Sequence, residues 1–129
     1  MNEILMKNVE NDRFAKLVGL KAIKVSEGYA LTELVLNDNH YNGVDIIQGG
    51  VIFTLADYAF AIASNSRGFE TVGINVNISY YKTAKGKVLR AEAKEISSQK
   101  KICGYSVDIF DEDGSIIAHF VGLGYTKRK

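Results

Sequence analysis

The segment from Gln48 to Ser66, QGGVIFTLADYAFAIASNS, constrains the fold of this chain more than any other. It predicts one long helix that begins at two glycines and ends at the Ser-Asn-Ser run before Gly68. Its apolar residues almost encircle the helix axis, and Asp57 is its only charged residue. A helix that is apolar all round is buried in a core, so the rest of the chain must cover it.

The rest of the chain is mostly β in pattern. Apolar and polar residues alternate in segments separated by turn residues, which is typical of antiparallel strands. The predicted strands form a hairpin in residues 20–36 and then occupy residues 71–81, 88–97, 102–110 and 116–126. Residues 3–17 fit a short amphipathic helix, which Asn11 or Asp12 can cap in its second half, and residues 37–47 form a loop. The simplest architecture is α+β, with a curved antiparallel sheet wrapped around one long central helix.

The alternation is clear in residues 71–81. It places five residues on one face of the strand, namely Val72, Ile74, Val76, Ile78 and Tyr80. Asparagine and serine occupy the other face, which predicts a strand with one apolar side.

Composition indicates one ordinary globular domain. The 129 residues are 47% apolar and 24% charged, with a net charge of +1, which argues against wholesale disorder. This length has room for one hydrophobic core, so we predict a single domain over residues 1–129. The nearly neutral charge argues against a nucleic-acid or membrane-surface partner, which usually requires a basic excess.

The chain carries one cysteine and no proline. Cys103 has no second cysteine to pair with, which fits a reducing compartment, and the acidic N-terminal segment does not resemble a signal peptide. The longest apolar stretch, residues 51–63, is too short to cross a bilayer and contains Asp57. We therefore predict a cytoplasmic protein.

Gln48-Gly49-Gly50 stands where the long helix is predicted to begin. The first backbone N–H groups of a helix are unpaired and lie at the positive end of its dipole, and glycines let a ligand approach them closely. Such donors suit a carbonyl oxygen that gains negative charge during a reaction. The alternative is that the two glycines only relieve crowding at the entry to a buried helix.

Asp57 is the second candidate for chemistry. Burying an ionised carboxylate without a partner is costly, so Asp57 must be neutral, paired or facing a wet pocket. A carboxylate in an otherwise apolar helix is hard to justify by stability and is therefore a candidate for function. The alternative is a structural aspartate that hydroxyl groups of serine or tyrosine bind.

The spacing of the two candidates has a consequence for assembly. Gly49 and Asp57 are eight residues apart, which is ~12 Å along an α-helix. A base and an oxyanion donor must both lie about 3 Å from one reacting group, and a single helix cannot place them so. Two copies packed antiparallel across a two-fold axis can bring Gly49 of one to Asp57 of the other. If both residues are catalytic, the protein is at least a dimer with two equivalent sites.

The run HYNGVDIIQGGVIFTLADYAFAIASNSRG, residues 40–68, resembles the hotdog-fold acyl-CoA thioesterases, in particular the PaaI-type group of phenylacetic acid degradation. That group carries an Asn-Gly loop, an HGG motif and a helix with an LAD motif, and the order of elements agrees over residues 10–127. The resemblance implies a hotdog fold, in which a curved antiparallel sheet wraps around one long helix. It also implies a homodimer, which we expect to form a homotetramer as a dimer of dimers.

The resemblance further implies roles for single residues. Asp57 would be the catalytic carboxylate, acting as general base for water or as nucleophile. Gly49 would polarise the thioester carbonyl through its backbone N–H, and Asn42 would orient the thioester or the attacking water. Gln48 and Gly50 lie beside these groups and are expected to contact the substrate.

Three positions depart from the family pattern. Gln48 replaces the histidine of HGG; it keeps a donor and an acceptor but cannot carry charge. Ala61 stands where some relatives place a threonine or serine that holds water, so that role is absent here or is filled elsewhere. Thr83 replaces a proline, in line with the lack of proline in the chain.

CoA phosphates need cationic partners. By resemblance, the segment after Tyr81 and the turn before Ile102 border the CoA entrance, which makes Lys82, Lys85 and Lys100 candidates for binding. The alternative is that these lysines belong to solvated loops.

We therefore predict hydrolysis of an acyl-CoA thioester to a free carboxylic acid and CoA. No separate cofactor is expected, because CoA is part of the substrate. The alternative is a hotdog protein that binds acyl-CoA without cleaving it; a dehydratase is less favoured because Gln48 removes the natural histidine. Of the other reactive residues, we expect His40 in an exposed loop, His119 on a sheet face and Cys103 in the core. Neither histidine has metal-ligand spacing, so no metal site is predicted. The lack of a basic excess predicts no nucleic-acid or membrane partner.

Overall fold

The computed structural model describes residues 2–128, and within them the helices and strands follow the predicted order. The elements are α1 (Glu3–Asn11), α2 (Arg13–Val18), β1 (Lys21–Ser26), β2 (Tyr29–Val35), a short 3-10 helix (Asp38–His40), α3 (Gly49–Asn65), β3 (Thr71–Tyr80), β4 (Val88–Ser98), β5 (Ile102–Phe110) and β6 (Ile116–Thr126).

The six strands form one antiparallel sheet in the order β1-β2-β4-β5-β6-β3. The long helix α3 contacts all six strands. Its residues Leu55, Ala56, Ala59 and Ala63 are fully buried, and the small side chains of the three alanines let the helix lie close to the sheet. This is the predicted arrangement of a sheet around one central helix.

Phe60 on α3 explains two glycines in the strands that face it. A methyl group added at Gly73 or Gly122 would lie 3.2 or 3.1 Å from the Phe60 ring, respectively. The sheet therefore omits side chains where the ring fills the space, because interiors are packed at close to crystal density.

Both ends of α3 are tied to strand β3. At the end of the helix, the Asn65 side chain accepts a hydrogen bond from the Thr71 N–H (2.9 Å) and donates one to the Thr71 carbonyl (3.2 Å). At its start, the Tyr80 hydroxyl donates to the Gly49 carbonyl at 2.9 Å. Helix α3 therefore runs antiparallel to β3, with Gly49 beside the last residue of the strand.

The prediction that α3 is apolar and buried all round is wrong for one stripe of its surface. Gly50 is exposed, and Phe53, Thr54, Asp57 and Ala61 are only partly buried. These residues recur every three or four positions, so they lie on one face of the helix. The stripe is open because the sheet of a single copy covers only part of the helix circumference.

Strand β3 is at the edge of the sheet, and most of its apolar residues are exposed: Val72 is 49% exposed, Ile74 54% and Tyr80 51%. The register shifts between Gly73 and Asn75, so Ile74 has no partner on β6. This bulge puts Val72 on the outer face while Tyr80 stays on the helix side, because side chains alternate along a strand. The predicted single apolar face is therefore wrong before the bulge.

The N-terminal segment also differs from its prediction. Instead of one helix over residues 3–17, it forms α1 and α2 with a break at Asp12. The Asp12 carboxylate accepts a hydrogen bond from the Ala15 N–H at 2.9 Å and caps α2, which is the capping role predicted for it. None of the helices within residues 2–128 has the length and apolar character needed to span a membrane.

Candidate active site

The first residues of α3 present one free backbone donor. The Gln48 side-chain oxygen accepts a hydrogen bond from the Gly50 N–H at 2.9 Å, so Gln48 caps its own helix. The Gly49 N–H has no hydrogen-bond partner among the described residues. Of the two predicted glycine donors, only Gly49 is therefore free to bind a ligand oxygen.

A cavity of about 300 Å³ opens beside the Gly49 backbone. Its walls are mostly apolar and come from the loop before α3, from α3 and from the segment after β3. They include Ile46, Ile52, Tyr80, Thr83 and Ala84, with Lys82 as the charged residue. An apolar cavity with one free donor and one cation has the make-up of a small-molecule site.

Tyr80 belongs to this site although sequence reasoning assigned it no functional role. Its hydroxyl bonds the Gly49 carbonyl, and a methyl group at Gly49 would lie 3.4 Å from its ring. Burial raises the pKa of its hydroxyl above the usual value. The one signal in the sequence that places Tyr80 near the helix is the alternation of residues 71–81, which puts Tyr80 on the apolar face of the strand.

Asp57 lies in the open stripe of α3 and is partly buried. No described residue forms a hydrogen bond or an ion pair with its carboxylate, so the alternative of a structural aspartate held by hydroxyl groups is not what the structure shows. Burial raises the pKa of Asp57, and the nearby charge of Asp12 raises it further. Sequence reasoning missed this contribution of Asp12, because the proximity of two charges from distant segments leaves no local signal.

Asn42 shapes the loop that precedes α3. Its side-chain oxygen accepts hydrogen bonds from the backbone N–H groups of Val44 (3.0 Å) and Ile46 (3.1 Å). This fixes the turn that carries Ile46 into the cavity wall. The oxygen of Asn42 is thus occupied within the loop, which leaves its amide hydrogens for contact with a ligand.

The three candidate lysines do not lie together. Lys82 lines the cavity at Gly49, and Lys85 lies at the same end of the sheet, where its backbone N–H donates to Asp111 at 3.0 Å. Lys100 lies in the turn between β4 and β5, next to Phe69 at the start of β3. The ten residues of β3 separate the two ends by ~30 Å, so one copy does not bring Lys100 to its own Gly49.

The prediction of an exposed His40 is wrong, because His40 is only 4% exposed. Its Nδ1 accepts a hydrogen bond from the Asn37 N–H at 3.0 Å, and its Nε2 donates to the Val18 carbonyl at 2.8 Å. Its own carbonyl accepts from the Gln48 N–H at 2.9 Å. His40 therefore holds the loop before α3 in place.

The two remaining reactive residues lie where they were predicted. His119 is partly exposed on the outer sheet face, with Nδ1 2.7 Å from Asp108 Oδ1. Cys103 is buried in the core. Within residues 2–128, no group of three or more His, Cys, Asp or Glu side chains is placed to hold a metal ion.

Several known proteins are similar to this chain. The sequence profile of the thioesterase superfamily matches residues 45–118, from the loop before α3 into β6. A putative esterase from Archaeoglobus fulgidus is 38% identical over 117 residues, which cover 90% of this chain and 76% of that protein. The acyl-coenzyme A thioesterase PaaI from Escherichia coli is 32% identical over 117 residues, which cover 90% of this chain and 84% of that protein.

A solved structure of a similar protein has the same fold as this chain. The E. coli PaaI protein from the phenylacetic acid degradation operon matches with a TM-score of 0.92 at 28% sequence identity. The match covers 98% of this chain and 92% of that chain. The predicted hotdog fold is confirmed.

Proposed function

Because this chain belongs to the thioesterase superfamily, as its sequence predicted, we propose that it hydrolyses an acyl-CoA thioester to a free carboxylic acid and CoA. The observation that carries the proposal is that Gly49, whose N–H has no hydrogen-bond partner among residues 2–128, lines an apolar cavity. The relative from E. coli named as an acyl-coenzyme A thioesterase supports CoA as the thiol part of the substrate.

The proposed site is completed by a second copy of the chain. Gly49 and Asp57 are ~12 Å apart on one helix, but a two-fold axis near Phe53, midway between them, pairs Gly49 of one copy with Asp57 of the other. Phe53 and Thr54 lie at the centre of the open stripe, where such a contact would form. The exposed edge of β3 supports the same dimer, since an unpaired apolar edge strand favours pairing with another strand.

The chemistry follows from the groups at this interface. Asp57 takes a proton from water as the water attacks the thioester carbonyl. Alternatively, Asp57 attacks the carbonyl itself and forms an acyl anhydride, which a water then hydrolyses to release the carboxylic acid and regenerate Asp57. The carbonyl oxygen becomes negative and is stabilised by the Gly49 N–H of the other copy. The carbon–sulfur bond then breaks, and CoA leaves as a thiolate that takes up a proton. The Asn42 amide hydrogens are free to orient the thioester or the water.

The replacement of the family histidine by Gln48 is compatible with this reaction. Gln48 uses its side-chain oxygen to accept a hydrogen bond from the Gly50 N–H and so caps the helix, a role that needs no charge.

The proposed reaction requires no cofactor, because CoA is part of the substrate. We also propose that residues 1–129 form a single functional domain and that two dimers associate into a homotetramer. A cytoplasmic location stays a prediction.

The test is a thiol-release screen over aromatic and aliphatic acyl-CoAs with the wild-type protein and Asp57→Asn. Loss of a general base costs 10²–10⁴-fold in typical cases, so we expect turnover to fall by roughly that factor. The melting temperature should not fall, because burial raises the pKa of Asp57 and its charge therefore destabilises the fold above that pKa.

Two outcomes would contradict the proposal. Unchanged turnover in Asp57→Asn would remove Asp57 from the mechanism. Binding of acyl-CoA with no thiol release by the wild-type protein would favour a protein that binds CoA esters without cleaving them.

A further inference from the structure

The first two residues of α3 are both glycine, so the backbone at the start of this helix has little rigidity of its own. Gly49 and Gly50 lack the Cβ atom that restricts φ and ψ in other residues, and the first N–H groups of a helix have no partner inside it. The Gly49 N–H is the proposed oxyanion donor, and such a donor is effective only when its direction is fixed before the reaction. Contacts from outside the helix must therefore fix it.

Two side chains bind the peptide group that joins Gly49 to Gly50. The Tyr80 hydroxyl donates a hydrogen bond to the Gly49 carbonyl oxygen at 2.9 Å. The Gly50 N–H of the same peptide group donates to Gln48 Oε1, also at 2.9 Å. Hydrogen bonds that are linked through one peptide group polarise and strengthen each other. Tyr80 and Gln48 therefore hold this peptide group together, one at each of its polar ends.

Tyr80 is itself held by the sheet. It is the last residue of β3 and pairs with Ala118 on β6. The residue that follows it, Tyr81, donates its backbone N–H to the Ile117 carbonyl at 2.8 Å. Groups on strands are placed more precisely than groups on loops. The bond from Tyr80 therefore ties Gly49 to a well-defined position at the end of the sheet.

The contact between Tyr80 and Gly49 involves the ring as well as the hydroxyl. A carbon at the Cβ position of Gly49 would lie 3.4 Å from both Cζ and Oη of Tyr80, so the end of the ring lies directly against the glycine. Burial raises the pKa of the Tyr80 hydroxyl above its usual value. The hydroxyl therefore keeps its proton at neutral pH and remains a donor to the Gly49 carbonyl.

Resting on the function proposed above, we propose that Tyr80 is a positioning residue, whose hydroxyl holds the start of α3 so that the Gly49 N–H meets the thioester oxygen. The hydroxyl acts through Gly49 and transfers no proton in the reaction. The first alternative is that Tyr80 only forms a wall of the cavity. The second is that its hydroxyl contacts the substrate directly. Each role predicts a different effect of removing the hydroxyl.

Kinetics of Tyr80→Phe, alone and combined with Gly49→Pro, separates these roles. Tyr80→Phe keeps the ring and removes the hydroxyl. Loss of a whole oxyanion donor costs about 10²–10³ in kcat, and a misdirected donor loses part of this, so we expect kcat to fall roughly tenfold with KM nearly unchanged. Gly49→Pro has no N–H at this position, so adding Tyr80→Phe to it should lower kcat no further.

The control removes a tyrosine hydroxyl that is remote from Gly49. Tyr125 pairs with Val72 at the other end of β3, so Tyr125→Phe should keep the wild-type kcat. Wild-type kcat in Tyr80→Phe would make Tyr80 only a wall of the cavity and overturn the proposal. An equal fall of kcat with and without Gly49→Pro would also overturn it, because the hydroxyl would then act independently of the Gly49 N–H. Both results leave the proposed hydrolysis intact.

NMR relaxation of the ¹⁵N-labelled full chain tests the positioning without any assay of activity. We expect the backbone order parameters of Gly49 and Gly50 to be about 0.85 in the wild-type protein and to fall towards about 0.6 in Tyr80→Phe. Tyr125→Phe should show the wild-type values. Equal order parameters in all three proteins would refute the positioning role. If the order parameters fall as expected but the wild-type protein cleaves no thioester, the hold of Tyr80 on Gly49 is supported and only the proposed hydrolysis fails.

Discussion

Replacing Gly49 by proline removes one N–H from the proposed site and little else. Gly49 is the first residue of α3, a position that favours proline because its N–H has no partner inside the helix. The preceding Gln48 has φ −59° and ψ 127°, a conformation that a following proline requires. A carbon at the Cβ position lies at 3.4 Å from Tyr80, which is ordinary contact. We therefore expect Gly49→Pro to fold, with a free energy of unfolding unchanged or higher by about 0.4–1 kcal/mol.

The expected effect on catalysis is large. Loss of one oxyanion donor costs about 10²–10³ in kcat, or about 2.7–4 kcal/mol. No neighbouring backbone donor replaces it, because the Gly50 N–H is bound by Gln48. We therefore predict that kcat for thiol release falls by about that factor in Gly49→Pro.

Gly49→Ala is the matched control, because it adds a Cβ atom at the same place and keeps the N–H. It should retain most of the wild-type kcat, and unfolding in urea should show all three proteins to be folded. Wild-type kcat in Gly49→Pro, or an equal loss in Gly49→Ala, would refute the reasoning that the Gly49 N–H stabilises the oxyanion.

Two further predictions concern acidity and packing. Asp12→Asn keeps a good helix cap but removes the charge that helps raise the pKa of Asp57. The acid limb of the pH profile of kcat/KM should therefore move to lower pH. An acid limb at the wild-type pH would contradict the electrostatic coupling of Asp12 to Asp57. In Gly124→Ala the new methyl would lie 2.7 Å from the Thr71 side chain, so we expect a loss of about 1–3 kcal/mol in the free energy of unfolding. Gly104→Ala, whose nearest neighbour is at 3.6 Å, should not show this loss; equal stabilities in urea would speak against the packing argument.

Much of the fold could be predicted because its signals are local. The run of apolar residues around Asp57 identified α3 almost to its ends, and alternation identified the strands. The exposure of β3 could not be predicted, since strand order depends on contacts between distant segments. The bulge at Ile74 leaves the alternation of the sequence intact while it reverses the faces of the strand.

The part of the site that has local signals in the sequence could also be predicted. Gly49 and Asp57 are recognisable because a glycine at a helix start and a charge in an apolar helix are both unusual in their local setting. The residues that tune them are not recognisable in this way. The Tyr80 hydroxyl bonds the Gly49 carbonyl from strand β3, and the charge of Asp12, between α1 and α2, acts on Asp57. His40 was misjudged because its polar loop hides a capping arrangement that buries the ring.

The central claim is that each site combines Gly49 of one copy with Asp57 of another, and mixing two inactive variants tests it most directly. When Asp57→Asn and Gly49→Pro are co-expressed or refolded together, half of the dimers formed at random contain one of each, and each of these has one intact site of two. The account predicts that the mixture recovers about a quarter of the wild-type thiol release. Activity no higher than the sum of the separate variants, in a sample whose mixed dimers are verified by mass spectrometry, would contradict it.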